Sequence, residues 1–260
     1  MKGSADALTD GAAAPGAAAA DALDAAGLAR RVADLERAML ERELDAHGCA
    51  LVPAVLRPAE CTALAALYDD DRRFRSRVVM ERHGYGRGEY RYFAAPLPAP
   101  VEALRAAFYP LLAPIANRWH AALGLTPHFP ERHADFLARC HAAGQTRPTP
   151  LLLRYGEGDY NCLHQDLYGE HVFPLQVALL LSRPGTDFEG GEFVLTEQRP
   201  RRQSRAEVVP LRQGDAVVFA VQQRPVAGAR GATRVQMRHG VSRLRRGHRH
   251  TLGLIFHDAA

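Results

Sequence analysis

The sequence predicts an all-β core of jelly-roll or small-barrel type with supporting helices before it, α+β overall. Three observations carry this. After residue 150, short β runs follow one another with Gly, Pro and Asp at the turns and no helical segment between them, as in a double-sheet jelly roll or small barrel. Before residue 150, apolar residues recur at helical spacing. No flexible linker divides the two halves, so the helices are expected to cover one face of the sheet within a single domain over 26–260.

Taken in order, residues 1–25 are Ala/Gly-rich with little to bury, and read as a disordered tail. Residues 26–148 form the helical support region. Leu28, Val32, Leu35, Met39 and Leu44 mark one amphipathic helix ending near Gly48. "PAECTALAALYDD" (58–70) is a second, with Pro58 near its start. "RVVMERHGYGRGEYRYF" (77–93) has strand-like ends around a Gly-rich middle, a hairpin or mobile loop. Residues 98–124 are a third helix, with kinks expected at Pro110 or Pro114. A polar connection covers 125–150. The β core is then 149–260, with strands at 151–156, 159–167, 173–182, 191–197, 206–211, 215–221, 234–244 and 250–257.

Composition narrows the classes. At 260 residues the chain buries a sizeable core. No run of eighteen apolar residues occurs, so no transmembrane helix and no membrane partner are expected. Asp6, Asp10, Pro15 and Asp21 interrupt any apolar region at the N-terminus, against a secretory signal. Cys49, Cys61, Cys140 and Cys162 are far apart and form no CxxC pair. They suit unpaired thiols in a reducing cytoplasm, with no disulfide partner. Residues 199–260 carry thirteen Arg against Glu207, Asp215 and Asp258, a net +10, leaving −6 on the remainder of a chain whose total is +4. A basic segment of this kind attracts phosphates or acidic substrates; the bland alternative is solvated surface.

Chemistry enters with "CLHQDLYG" (162–169). Side chains at i and i+2 of a strand share a face, so His164 and Asp166 are presented together with Gln165 opposite. Alone, this is equally a polar pair on a solvated strand. A third ligand has to come from a distant strand, and His239 lies on another β run, 73 residues after Asp166. Two imidazoles and one carboxylate make the 2-His-1-carboxylate face of non-haem Fe(II) oxygenases. Gly247 and Arg249 stand eight and ten residues after His239. A strand–turn–strand there carries Arg249 to the inner end of the barrel, where its fork holds a carboxylate bidentately. Thr251 faces the same way, and Tyr155, nine residues before His164, reaches toward the same carboxylate.

His-x-Asp, a distal His and an Arg ten residues beyond it resemble the 2-oxoglutarate/Fe(II)-dependent dioxygenase superfamily, built on a double-stranded β-helix. "RYGEGDYNCLHQDLYG" also resembles its prolyl-hydroxylase-like branch. The resemblance implies that His164, Asp166 and His239 are the iron ligands and that Arg249 binds the distal carboxylate of 2-oxoglutarate, assisted by Tyr155 and Thr251. It implies Fe(II) as cofactor, 2-oxoglutarate and O₂ as co-substrates and succinate as product, and leaves room for ascorbate as a reductant. The run from His164 to Phe219, and the ending "RHGVSRLRRGHRHTLGLIFHDA", are similar to a bacterial family proposed to demethylate damaged nucleic acid oxidatively, as in DNA repair. Alkylated nucleic acid is accordingly the expected substrate, met through the basic C-terminal segment. Two alternatives stay open: hydroxylation of a protein residue or small molecule, and a non-catalytic β-helix binding module.

Further candidates surround this set. Arg201, Arg202 and Arg205, with Arg199, Arg243, Arg245 and Arg246, are candidates to grip a phosphate backbone. Tyr85 and Tyr90 offer stacking faces for a substrate, while Tyr92 and Phe93 read equally as core. His248 and His250 are expected to face outward and His257 to end a strand. Cys162 shares the facing of the ligands, and is expected as a small buried residue.

Overall fold

The computed structural model describes residues 15–126, 128–228 and 231–260. The helices are α1 (Pro15–Asp21), α2 (Ala25–Ala33), α3 (Arg37–His47), α4 (Pro58–Ala66), α5 (Ala99–Leu123) and α6 (His133–Ala142). The strands before the core are β1 (Cys49–Val52), β2 (Phe74–Val79), β3 (Gly86–Arg87) and β4 (Glu89–Phe93). Those of the core are β5 (Leu151–Tyr155), β6 (Tyr160–His164), β7 (Leu175–Leu180), β8 (Phe188–Gly190), β9 (Phe193–Gln198) and β10 (Arg205–Val209). They continue with β11 (Ala216–Ala220), β12 (Gln223–Gly228), β13 (Gly231–Val241), β14 (Leu244–Gly247) and β15 (Arg249–Leu254).

Two antiparallel sheets make a double-stranded β-helix, or jelly roll. The larger runs β1-β11-β7-β15-β5-β4-β2 and the smaller β10-β9-β13-β6-β3, with β12 paired to β13 and a separate β14–β8 ribbon. The buried apolar core is contributed by the helices and both sheets. β7 and β11 are buried along their whole length, which is why both read as apolar runs, broken in β7 by Gln176 alone. The core strand expectations all fall on observed strands; β8, β12 and β14 are additional, too short or too polar to stand out.

The helices cover the larger sheet: α4 lies over β15, α3 meets β11, and α2 packs along α5. Pro58 occupies the first turn of α4, where its missing N–H has no partner to lose. Gly48 ends α3 and Gly124 ends α5, each in left-handed conformation. Several expectations need correction. The single helix over 28–44 is two, because Asp34 closes α2 and Glu36 opens α3. Of the 1–25 tail, residues 1–14 lie outside the described residues, whereas Pro15–Asp21 is helical and Ala20 is buried. The connection over 125–150 contains α6, whose His133, Phe136 and Cys140 are buried at helical spacing. The 26–148 region is more than helical support, since β1, β2 and β4 extend the larger sheet and β3 the smaller. The helix expected over 98–124 is found as α5, with Pro110 and Pro114 inside it.

Polar side chains fasten the C-terminus to the helices. Arg105 donates to Asp258 Oδ1 at 2.8 Å and to the Ile255 carbonyl, and His141 Nε2 lies 2.9 Å from Asp258 Oδ2. Nearby, His133 Nε2 is 2.8 Å from the Phe256 carbonyl. Burial pulls the pKa of His133, His250 and His257 down to about 4 from an ordinary 6.5. Between those values the unfolded chain binds more protons than the folded one, so stability is full above pH 6.5 and falls as pH drops toward 4. The urea midpoint of the metal-free protein is expected to be lower at pH 5 than at pH 7.5, and replacing His257 by Gln is expected to shrink that difference.

Candidate metal centre and its cavity

The register of the smaller sheet builds the centre. His239 on β13 pairs directly with His164 on β6, and residues opposite each other on an antiparallel pair share a face. Gly240 lets the two strands approach, because a Cβ there would stand 2.7 Å from the Asn161 carbonyl oxygen. Asp166 lies just beyond the end of β6, not on the strand as expected, and turns back onto the pair. Its Oδ1 is 3.5 Å from His164 Nε2 and its Oδ2 is 3.3 Å from His239 Nε2. One donor atom from each of the three falls within 4.8 Å of the others, and among the described residues no other metal-ligating cluster forms.

These distances fit a metal. Donors held at right angles, each about 2.1 Å from one ion, stand about 3 Å apart. His164 Nδ1 is 2.8 Å from the Cys162 carbonyl, so its proton is placed there and Nε2 keeps a free lone pair. Burial pulls the His239 pKa down, against the pull of Asp166, which favours the neutral imidazole a metal needs. Burial pushes the Asp166 carboxyl up, but the hydrogen bonds and charge of His164 and His239 hold it well below the usual range.

The second cluster lies at the start of β15. Gly247 (φ +81°) turns β14 into β15, where a Cβ would meet the Asp187 carbonyl oxygen at 2.0 Å. Arg249 follows, 2% exposed and directly opposite Tyr155 on β5. Its Nη1 donates to Thr251 Oγ1 at 2.6 Å and its Nε makes no hydrogen bond. Among the described residues no carboxylate pairs with it. The Tyr155 hydroxyl is also buried without a well-formed hydrogen bond. Burial lowers the Arg249 pKa to about 10, which still leaves it charged at neutral pH. A buried guanidinium without an anion is costly, and this one faces a cavity of about 390 Å³ shared with the three candidate ligands.

Tyr155, His164, Asp166, His239, Arg249 and Thr251 thus all line one space between the sheets, together with Tyr85 and Tyr90. Sequence reasoning missed other walls of it. Tyr168 donates to Asp166 Oδ1 at 2.8 Å, from a position past the end of β6 that strand alternation does not reach. Gln145, 1% exposed, donates to the carbonyls of Tyr168, His171 and Asp258 and accepts from His171 N–H, pinning the loop that carries Asp166 and Tyr168. Phe219 and Gln176 are further walls not foreseen, whereas Tyr92, read from the sequence as stacking face or core, is buried and lines the cavity. Replacing Tyr168 by Phe is expected to weaken divalent-metal affinity about 10- to 100-fold, the usual effect of losing a ligand's supporting partner. Calorimetric titration with Mn(II) reads this directly.

Other candidates fall elsewhere. Arg201 and Arg202 sit in the β9–β10 turn and Arg205 begins β10, all exposed and none lining the cavity. Gln198 beside that turn pairs with Gln236, three residues down β13 from His239, roughly 10 Å along the strand. Arg205 stands 3.8 Å from Glu197, and Arg246 pairs with Glu189. Cys162, expected to be buried, is exposed at the cavity wall. His250 does not face outward: it packs edge-on against Tyr68, and His257 is fully buried. Phe93 is core. Among the described residues, four of the five exposed large apolar side chains, Tyr85, Tyr160, Leu163 and Leu167, lie on the two segments that contribute Tyr85, 161–166 and Tyr168 to the cavity, where clustered apolar exposure marks a binding surface.

A model of the family Oxygenase-NA, described as an oxygenase catalysing oxidative methylation of damaged DNA, matches residues 88–259. Two Mycobacterium tuberculosis proteins, the uncharacterized MT2286 of strain CDC 1551 / Oshkosh and Rv2227 of strain H37Rv, are each 55% identical over 168 residues. That stretch is 65% of this chain and 72% of theirs. Among solved structures, an oxidoreductase of the 2OG-Fe(II) oxygenase family from Burkholderia pseudomallei superposes with a TM-score of 0.50 at 18% identity, covering 87% of this chain and 94% of that one. A Pseudomonas putida prolyl-4-hydroxylase gives 0.46 at 16% identity, over 86% and 100%. Among the described residues, no helix is long and apolar enough to cross a membrane.

Proposed function

This chain belongs to the Oxygenase-NA family of oxygenases, and from that premise we propose that it is an Fe(II)- and 2-oxoglutarate-dependent dioxygenase acting on alkylated nucleic acid. The observation that carries the reading is the meeting, in one cavity, of a His–Asp–His donor set with a buried arginine that has no anion of its own. His164, Asp166 and His239 would hold the iron. Arg249, with Thr251 and Tyr155, would hold the distal carboxylate of the 2-oxo acid. When bound, iron, 2-oxoglutarate and O₂ supply the oxidation that places one oxygen atom in a substrate C–H bond and leaves succinate and CO₂.

The chain's own contribution is placement. His239, held toward its neutral form by burial, and His164, whose Nδ1 faces the Cys162 carbonyl, present their Nε2 atoms on one side of the cavity. Tyr168 fixes the Asp166 carboxylate. The guanidinium offers its charge in a water-poor pocket, where it attracts an anion more strongly than at a surface. The tyrosines along the cavity offer faces to a planar group.

For the substrate, the family description favours damaged DNA, and Tyr85, Tyr90 and Tyr92 offer faces on which a base can stack. A methyl carbon on a base nitrogen, once hydroxylated, leaves as formaldehyde. The test compares formaldehyde release from a single-stranded oligonucleotide carrying an N-methylated base with the gain of one oxygen by a proline-containing peptide. Release from the oligonucleotide supports the reading; oxygen gained only by the peptide selects protein hydroxylation instead.

A further inference from the structure

The cavity has two chemically different ends. At one, β15 and β5 bring Arg249, Thr251 and Tyr155 together. At the other stand Tyr90, Tyr92 and Tyr168, with Leu151 and Ile255 packed against them. Their rings meet edge to face, Tyr90 to Tyr92 at 5.4 Å and Tyr92 to Tyr168 at 6.4 Å.

Gln176 lies at this aromatic end. It is the one polar side chain of β7, a strand buried throughout, and is 4% exposed. The residue lines the cavity, and its buried Nε2 has no hydrogen-bond partner. It pairs across the sheet with Phe219, whose ring is 4.6 Å from that of His239. The register also separates it from the anion cluster: Thr251 pairs with Leu180, and Gln176 is four residues further along β7, roughly 13 Å away. A carboxylate held by Arg249 is out of its reach.

A buried amide donor left unpaired destabilises the fold, and an apolar residue of the same size would do better. Active sites are where such local inconsistency is retained. We propose that Gln176 is a specificity residue, its Nε2 donating to a ring-nitrogen or carbonyl acceptor on a nucleobase seated among Tyr90, Tyr92 and Tyr168. This rests on the nucleic-acid reading above and adds the feature of the substrate that the cavity reads. The donor selects bases that present an acceptor at that edge, while the tyrosines accept any planar ring.

The experiment uses the full chain and two replacements, Gln176→Met, which keeps length and removes polarity, and Gln176→Glu, which keeps polarity and removes the donor. The probe is a short single-stranded oligonucleotide carrying one N-methylated base, against the same oligonucleotide unmodified. Gln176→Met is expected to raise the Tm of the metal-free protein by about 2–4 °C, the gain from removing an unpaired buried donor. Both replacements are expected to weaken binding of the modified oligonucleotide roughly three- to ten-fold, one hydrogen bond's worth. Binding of Mn(II) with 2-oxoglutarate stays as in the parent. A lower Tm, or failure to fold, assigns Gln176 a structural role and overturns the proposal. So does unchanged binding of the modified strand, which leaves the nucleic-acid reading standing. If the parent chain does not distinguish modified from unmodified strands, the nucleic-acid reading and the proposal fall together.

Discussion

Replacing Asp166 or His239 by Ala is expected to abolish both divalent-metal binding and succinate formation while leaving a folded protein. The ligand face needs all three donors, and each removal leaves two imidazoles, or one imidazole and one carboxylate, that ordinary water competes with easily. The expected loss of metal affinity exceeds the roughly 10- to 100-fold set by removing a supporting partner such as Tyr168. Asp166→Ala also strips the Tyr168 hydroxyl of its acceptor, while His239→Ala removes a ring packed between Phe193 and Phe219. Titration with Mn(II), alongside circular dichroism, separates loss of the centre from loss of the fold. Retained stoichiometric binding in either variant would remove these residues from the metal centre.

The second large effect belongs to Arg249. Arg249→Met preserves length and apolar contact with Tyr155 and Phe188, whose rings lie 5.7 and 5.9 Å from the guanidinium carbon. Losing a buried, charge-assisted anion contact costs about 2–5 kcal/mol, so the KM for 2-oxoglutarate is expected to rise between about thirty-fold and several-thousand-fold. The metal-free protein is expected to be no less stable, because the buried cation has no anion partner in the protein. A KM unchanged in Arg249→Met would place the co-substrate carboxylate elsewhere.

Much of the site was legible because its chemistry needs unusual residues at fixed register. His164 and His239 face each other across β6 and β13, Gly247 and Arg249 follow on the next turn, and Asp166, expected on the strand, joins them from just past its end. Tyr155 and Thr251 came by the same rule, since Arg249 pairs with Tyr155 and shares a face with Thr251. The arginines at 201, 202 and 205 did not, because charge runs report composition and not position, and the β9–β10 turn carries them outside the cavity. Gln176 and Tyr168 were hidden for opposite reasons. Gln176 is a single polar residue in an apolar strand, a pattern that reads as core with one exception. Tyr168 lies past the end of β6, where alternation no longer dictates facing. Gln145 is linked to its loop only by tertiary contacts more than twenty residues away. In the helical half, the apolar spacing continues across the break at Asp34 and so hides it, while α6 buries only His133, Phe136 and Cys140, too few to stand out in a polar stretch.

The most direct measurement is succinate formation from 2-oxoglutarate by the purified chain with Fe(II) under air, with His164→Ala run in parallel. The structure leads us to expect iron-dependent succinate from the parent chain, stimulated by an oligonucleotide carrying an N-methylated base, and none from His164→Ala. No succinate from the parent chain under any of these conditions, or equal amounts from the variant, would contradict an oxygenase centre at His164, Asp166 and His239.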